Sequence, residues 1–217
     1  MDNEKLISII IPVYNLKEER LVNFFYICKQ ISELKDLCRI LVIEQKDSTK
    51  KSNISDFLKI YPSIEYFSLD IGSVFNKSVL INRAFEKINN KYMWMMDCDF
   101  YTDYFSVFDQ ITESTEFLRP FSELIELNSS ETDDLCKTGY IKINRDSYST
   151  SSANGKYSFI IKSEIFKKSK LMNENFIGWG YQDLDFVENR LVNCKVENLD
   201  LMAFHLYHKP ATRKYLN

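Results

Sequence analysis

Glycine and proline are scarce in this chain of 217 residues, with five of the first and four of the second, too few for a linker-rich or disordered polypeptide. Cysteine is sparse in a different way. Cys28, Cys38, Cys98, Cys136 and Cys194 are odd in number, widely spaced and free of any C-x-x-C pair, which speaks against a disulfide framework or a zinc knuckle. A reducing, cytoplasmic setting is the expectation. The formal net charge is only −3, so no broad basic face is available for a nucleic-acid duplex. Long hydrophobic runs are also missing. The apolar stretch at residues 6–13 is interrupted by Ser8 and Pro12, too short for a signal peptide or a membrane span. Lys167, Lys168 and Lys170 form the one local basic cluster; it reads as a solvated helix end, with contact at a membrane surface as the weaker alternative.

What the chain does have is an apolar fraction of 45 % and an aromatic fraction of 14 %, enough for a packed core in one domain spanning residues 1–217. Residues 6–13 are almost continuously apolar and rich in β-branched side chains, as in a strand buried on both faces. Leu21, Phe24, Phe25, Cys28 and Ile31 then follow helical spacing, and residues 39–44 resume a buried strand. The alternation continues with a short helix near 55–60, a strand at 64–69, a helix from Asn76 with Leu80, Ala84 and Ile88 in four-residue steps, and a strand at 92–96. This order predicts an α/β fold with a mostly parallel central sheet flanked by helices, whose ligands gather at the carboxyl ends of the strands.

The second half is less regular. Residues 128–134 and 147–155 read as loops, followed by a strand at 157–161, a helix at 163–169, a loop through 176–180, a helix over 182–192 whose apolar face is Leu184, Val187 and Leu191, and strands at 196–199 and 202–207.

Three motifs carry chemistry. Asp97 and Asp99 follow the strand at 92–96, and alternation along extended backbone turns both carboxylates one way with Cys98 facing the core. Such a pair suits a divalent cation with positions left for phosphate oxygens, although a D-x-D at a solvated strand end is common. His205 and His208 are the chain's two histidines, three residues apart as it leaves a predicted strand, and imidazoles joined to carboxylates favour Mn²⁺ over Mg²⁺ or Ca²⁺. Gly178-Trp179-Gly180-Tyr181-Gln182-Asp183-Leu184-Asp185 opens a helix, where an aspartate can serve as an ordinary cap. The two glycines around a tryptophan add close backbone approach and an aromatic face on which a sugar ring can stack.

With Ile9-Ile10-Ile11-Pro12-Val13-Tyr14-Asn15, Val42-Ile43-Glu44-Gln45, Phe75-Asn76-Lys77, Leu80-Ile81-Asn82 and Asn189-Arg190-Leu191, these motifs make the chain resemble the β-1,4-galactosyltransferase and chondroitin-polymerase branch of the GT-A glycosyltransferases, near the large family 2. The likeness covers most of the chain. It implies a GT-A (Rossmann-like) fold, a nucleotide-binding half at about 1–100 and an acceptor-binding half at about 101–217. It also implies transfer of a sugar from a UDP-linked donor, carrying galactose, N-acetylgalactosamine or N-acetylglucosamine, to a saccharide hydroxyl. By the same resemblance Pro12, Tyr14, Asn15 and Glu44 border the nucleoside, Lys77 approaches the base or diphosphate, and Gly155 sits beside the donor sugar. Asp99 and His208, with His205, hold Mn²⁺ or Mg²⁺, and Asp97 lies nearer the ribose or a metal-bound water. Asp183 is the general base; Trp179, Gln182 and Asp185 face acceptor or sugar. Tyr181 and Gln182 depart from the galactosyltransferase pattern G-W-G-G-E-D, which leaves the sugar's identity open.

An inverting displacement is expected, with a retaining GT-A transferase as the near alternative. A nucleotidyltransferase would want a glycine-rich, basic loop after the first strand, and Tyr14-Asn15-Leu16-Lys17-Glu18-Glu19 is neither. A non-catalytic nucleotide-sugar-binding module is the rival from another class. Surface-polysaccharide synthesis would suit such a transferase, by analogy at the level of fold.

Overall fold

The computed structural model describes residues 6–47, 52–141, 150–152, 158–178 and 180–209. Its first half follows the predicted alternation: β1 (Ile7–Tyr14), α1 (Glu18–Ser32), β2 (Cys38–Lys46), α2 (Ser55–Leu58), β3 (Ile64–Asp70), α3 (Lys77–Phe85) and β4 (Tyr92–Met96). Then come β5 (Phe100–Thr102), α4 (Tyr104–Asp109), β6 (Phe117–Arg119), β7 (Glu123–Glu126), α5 (Ser129–Thr138), β8 (Thr150–Ser152), β9 (Ser158–Lys162) and α6 (Ser163–Lys168). The last elements are α7 (Gln182–Asp185), a π-helical turn at Phe186–Arg190, β10 (Val196–Asn198) and β11 (Met202–His205).

Seven strands form the central sheet in the order β10-β6-β9-β4-β1-β2-β3. β1 pairs in parallel with both β2 and β4, β2 with β3, and β6 with β10, while β9 runs antiparallel to β4 and β6. The chain therefore builds outward from β1 through β2 and β3, then returns to lay β4 on the other side of β1. That reversal opens a crevice at the carboxyl ends of β1 and β4, where sheets of this kind bind ligands. A second sheet, β5-β11-β7-β8, carries the end of the described chain back beneath this crevice.

Period-two alternation divides the core. Ile7, Ile9, Ile11 and Val13 of β1 join Tyr92, Trp94 and Met96 of β4 on one face with α1, whereas Ile10, Met93 and Met95 pack on the other with Leu80, Ile81 and Ala84 of α3. Each such isoleucine taken from water contributes about 1.5–3 kcal/mol, so the central strands anchor whatever their ends carry. Among the described residues no helix is long and apolar enough to cross a membrane.

Three expectations are corrected. Residues 128–134 are not a loop, because Asn128 caps α5 with a reciprocal capping box to Glu131, and Gly139 closes the helix at φ 71°. The helix is polar because only Thr132 and Leu135 are buried. The predicted loop at 147–155 contains β8, paired with β7; the rest of it lies outside the described residues. In the predicted 182–192 helix, the fully buried anchor is Phe186, with Leu184 only partly covered. The π turn, closed from Leu191 N–H to Phe186 C=O at 2.7 Å, breaks the regular helical spacing on which the Leu184–Val187–Leu191 face rested.

Candidate functional site

A cavity of about 410 Å³ opens where β1 and β2 end, lined by Tyr14, Asn15 and Lys17, by Glu44 to Asp47, and by Ser52 and Asn53. Asn15 turns the chain out of β1 with φ 46°, a left-handed conformation that asparagine tolerates better than most residues. The Tyr66 hydroxyl donates to Glu44, and the Tyr14 hydroxyl donates to the Ser73 carbonyl. Gln45 stitches the following loop to the sheet: its amide donates to the Gly72 and Val74 carbonyls at 2.8 and 2.7 Å, and its oxygen accepts from Asn76 N–H at 2.8 Å. Of the expected nucleoside residues, Tyr14, Asn15 and Glu44 line this cavity, whereas Pro12 is buried within β1 opposite Ile43 and is not on its wall.

Next to it, the carboxyl end of β4 presents two carboxylates with separate partners, Asp99 buried and Asp97 partly exposed. Cys98 joins the core beneath Trp94 and Met96. Asp99, 1 % exposed, faces His208 Nε2 at 3.3 Å, His205 Nε2 at 3.7 Å and Arg20 Nη2 at 3.2 Å. Burial opposes its ionisation, but the His208 hydrogen bond and the charges of His205, Arg20 and His208 outweigh burial and hold the carboxyl below its usual range.

The two imidazoles are oriented alike. His205 Nδ1 lies 2.6 Å from a Glu126 carboxylate oxygen at the end of β7, and His208 Nδ1 lies 2.8 Å from the Lys209 carbonyl. With a metal bound, each ring would keep its proton on Nδ1, held by Glu126 and the Lys209 carbonyl, and would offer Nε2 as the ligand atom. One ligand atom from each of Asp99, His205 and His208 lies within 4.8 Å of the others, a set that could hold a metal ion. Metal-binding histidines usually have a carboxylate or carbonyl behind the second nitrogen, and here each has one. One hard oxygen and two imidazole nitrogens suit Mn²⁺ better than Ca²⁺ or Mg²⁺.

Asp97 faces the other way along the crevice. Lys77, at the start of α3, places its ammonium 2.6 Å from Asp97 and 2.7 Å from Asp183. Burial pulls the Lys77 ammonium down, but the two carboxylates, Asp183 foremost, outweigh it and hold the group above its usual range. Burial pushes the Asp97 carboxyl up; Lys77 opposes the rise while Asp183 and Asp99 add to it. Three carboxylates thus meet two permanent cations, Arg20 and Lys77, in one cluster. Asp183 Oδ2 takes the lysine, while Oδ1 is buried without a hydrogen-bond partner. Such an atom costs stability unless another group supplies the missing bond.

The loop before Asp183 is pinned at both ends. Gly178 N–H donates to the Phe75 carbonyl at 2.7 Å, and the buried Gln182 amide donates to the Gly178 carbonyl at 2.7 Å. Gly178 and Gly180 have φ of 92° and 102°, left-handed values that favour glycine. Asp185 turns from this cluster to bind Arg190 at 3.4 Å and Asn189 at 3.0 Å, so its visible role is to brace the π turn. Trp179 and Gly155 lie outside the described residues.

Sequence reasoning missed Arg20 and Glu126 as site residues and the pairing of Lys77 with Asp183, and it pointed to Gln45 by position without giving it a role. Gln45 stands inside a quoted motif, so its place beside Glu44 was the available signal. Arg20 and Glu126 carry no local signal, since each meets its partner 79 residues away.

This open, mostly parallel sheet flanked by helices is the fold of the GT-A glycosyltransferases. Staphylococcus aureus TarS 1–349 in complex with UDP-GlcNAc superposes with a TM-score of 0.62 at 14 % identity, over 94 % of this chain and 59 % of that one. The catalytic domain of Drosophila β1,4-galactosyltransferase 7, in complex with xylobiose, gives 0.57 at 18 % identity, over 97 % and 76 %. GalNAc-T7 with UDP, GalNAc and Mn²⁺ gives 0.63 at 13 % identity, over 95 % and 45 %. The chain spans only 36 % of a longer TarS structure that it also matches. No protein-family profile and no curated protein sequence matches it.

Proposed function

We propose that the chain is a metal-dependent, inverting glycosyltransferase that moves a sugar from a UDP-linked donor to a saccharide hydroxyl. The observation that carries this reading is Asp183, whose one oxygen is held by Lys77 while the other is buried and unsatisfied; the same Lys77 binds Asp97, two residues from Asp99 of the Asp99–His205–His208 cluster. Solved structures of the same fold with UDP-GlcNAc, or with UDP and Mn²⁺, support the donor class and the metal.

In this reading the cavity between the ends of β1 and β2 takes the nucleoside, with Tyr14, Asn15 and Glu44 on its walls. Asp99, His205 and His208 would hold Mn²⁺, with Mg²⁺ as the weaker fit. Bound there, the ion would supply positive charge to offset the negative charge gathering on the departing diphosphate. Arg20 and Glu126 keep Asp99 and His205 aimed in advance, which avoids reorganisation during the reaction. Lys77 fixes Asp183 Oδ2, so Oδ1 is the atom that accepts the acceptor's proton as the hydroxyl oxygen attacks the anomeric carbon. Residues up to about 100 thus serve chiefly the donor, and the later ones the acceptor.

The test is UDP release from UDP-galactose, UDP-N-acetylgalactosamine and UDP-N-acetylglucosamine, with Mn²⁺ or with EDTA, in the presence and absence of glycosides. Metal-dependent release, with inverted configuration in the product, is the expected result. No release from any of the three would count against the reading and favour a binding module. Retention of configuration would remove Asp183 from the role of base.

A further inference from the structure

β11 ends at His205, held on one side by β5 and on the other by β7. Two more backbone bonds carry the order of that sheet a little further: Leu127 N–H donates to the His205 carbonyl at 3.0 Å, and Leu206 N–H donates to the Asp99 carbonyl at 2.9 Å. His208 lies beyond both, in chain without regular secondary structure, yet its ring belongs to the cluster that could hold a metal. A ligand serves such a site only when it is held to within about 0.5 Å of its place. Something other than the sheet has to hold this one.

Tyr207, the residue before it, is gripped from two helices. Its N–H donates to the Thr132 hydroxyl of α5 at 2.8 Å, and its carbonyl accepts from the Asn23 side-chain amide of α1 at 2.9 Å. That carbonyl belongs to the same peptide unit as the His208 nitrogen. Both side chains are almost fully enclosed, Asn23 at 1 % and Thr132 at 5 % exposure. Neither helix needs them for itself: asparagine and threonine are poor interior helix residues, and a polar side chain taken from water costs stability unless it is bonded. In α5 only Thr132 and Leu135 are buried, one a packing residue and the other a hydroxyl turned to Tyr207. In α1 Asn23 follows Arg20 by three residues, on the same face, so one helix side reaches both Asp99 and the segment that carries His208. On the far side of His208, Lys209 meets Glu19 at 3.1 Å, an ion pair open to solvent that holds little.

Resting on the metal site proposed above, we infer that Asn23 and Thr132 are positioning residues for His208: by holding the Tyr207 backbone from α1 and α5 they aim the His208 imidazole at Asp99, and the affinity of the site for Mn²⁺ depends on them. Neither is a ligand. Glu126 steadies His205 directly through its ring, whereas His208 is steadied through its backbone, by two groups that lie 184 and 75 residues from Tyr207 in the chain.

The experiment is a calorimetric titration of Mn²⁺, alone and with UDP present, into the unaltered chain and its variants, with the melting temperature of each. Thr132→Val keeps the side-chain shape and removes the acceptor; Asn23→Leu keeps the size and removes the donor. Each is expected to weaken Mn²⁺ binding about tenfold or more, as loss of a group that supports a metal ligand does. The two lie on different helices, so either one reads the clamp where the other fails to fold. Thr132→Ser retains the hydroxyl and should bind Mn²⁺ within about threefold of the unaltered chain. Leu135→Ala loosens α5 through packing alone, so it should lower the melting temperature and leave Mn²⁺ affinity within about threefold. Unchanged affinity in a folded Thr132→Val or Asn23→Leu overturns the clamp while the metal site stands. So does a loss in Leu135→Ala as large as that in Thr132→Val, which would reflect a loosened helix, and so does a Thr132→Ser variant as weak as Thr132→Val. Failure of the unaltered chain to bind Mn²⁺ in either condition overturns the metal site, and the clamp with it.

Discussion

Asp99 and Asp183 lie in the same crevice and are held in opposite ways. Asp99 is enclosed by Arg20, His205 and His208, and both of its oxygens have partners. Asp183 has a partner on one oxygen only, and the other is buried without one. A carboxylate surrounded by cations and imidazoles is built to stay ionised and to stay put, as a ligand must. In the proposed reading, the oxygen left over on Asp183 is the one that receives the acceptor's proton. The difference separates binding from chemistry, and it can be broken at either end.

The largest effect is expected at the unpartnered oxygen. Asp183→Asn keeps the shape and removes the base, so turnover in a UDP-release assay should fall by roughly 10²–10⁴-fold. UDP affinity in the same variant should stay as it was; a parallel loss of affinity would mean that the two carboxylates do one job. Lys77→Met comes next, because it leaves Asp97 and Asp183 facing each other without their shared cation. Breaking one partner of a buried ion pair costs about 3–5 kcal/mol. For a domain of this size that corresponds to a loss of roughly 10 °C in melting temperature, readable by scanning calorimetry. A change of under about 2 °C would show that the pair contributes little. Glu126→Ala sharpens the other side, since it removes only the group that aims His205. Loss of such a supporting partner should weaken Mn²⁺ binding by about 10–100-fold in a metal titration, with the fold intact by circular dichroism.

The two halves of the chain were unequally legible, for a physical reason. β1 and β4 are apolar and buried on both faces along nearly their whole length, so Ile9 to Ile11 and Tyr92 to Met96 announce themselves locally, and with them the positions of Asn15, Asp97 and Asp99. Beyond Asp99 the strands that escaped, β5 to β8, have only three or four residues, and their stability comes from pairing across the chain, which leaves little trace in any short window. α5 escaped because its capping box, Asn128 with Glu131, sits in a stretch too polar to suggest a helix. The π turn escaped because apolar spacing alone cannot tell an extra residue in the turn from a regular one. His205 and His208 could be named from rarity and spacing. That their rings converge on Asp99 depends on β11 lying between β5 and β7, which is a property of the sheet. The Lys77–Asp183 pair joins residues 106 apart and follows from the fold alone.

The most direct test of the division of labour is a calorimetric titration of UDP into three forms of the protein with and without Mn²⁺: unaltered, Asp99→Asn and Asp183→Asn. The account predicts Mn²⁺-dependent binding that Asp99→Asn abolishes and Asp183→Asn leaves within about twofold. UDP binding that ignores Mn²⁺, or that survives Asp99→Asn unchanged, would contradict it.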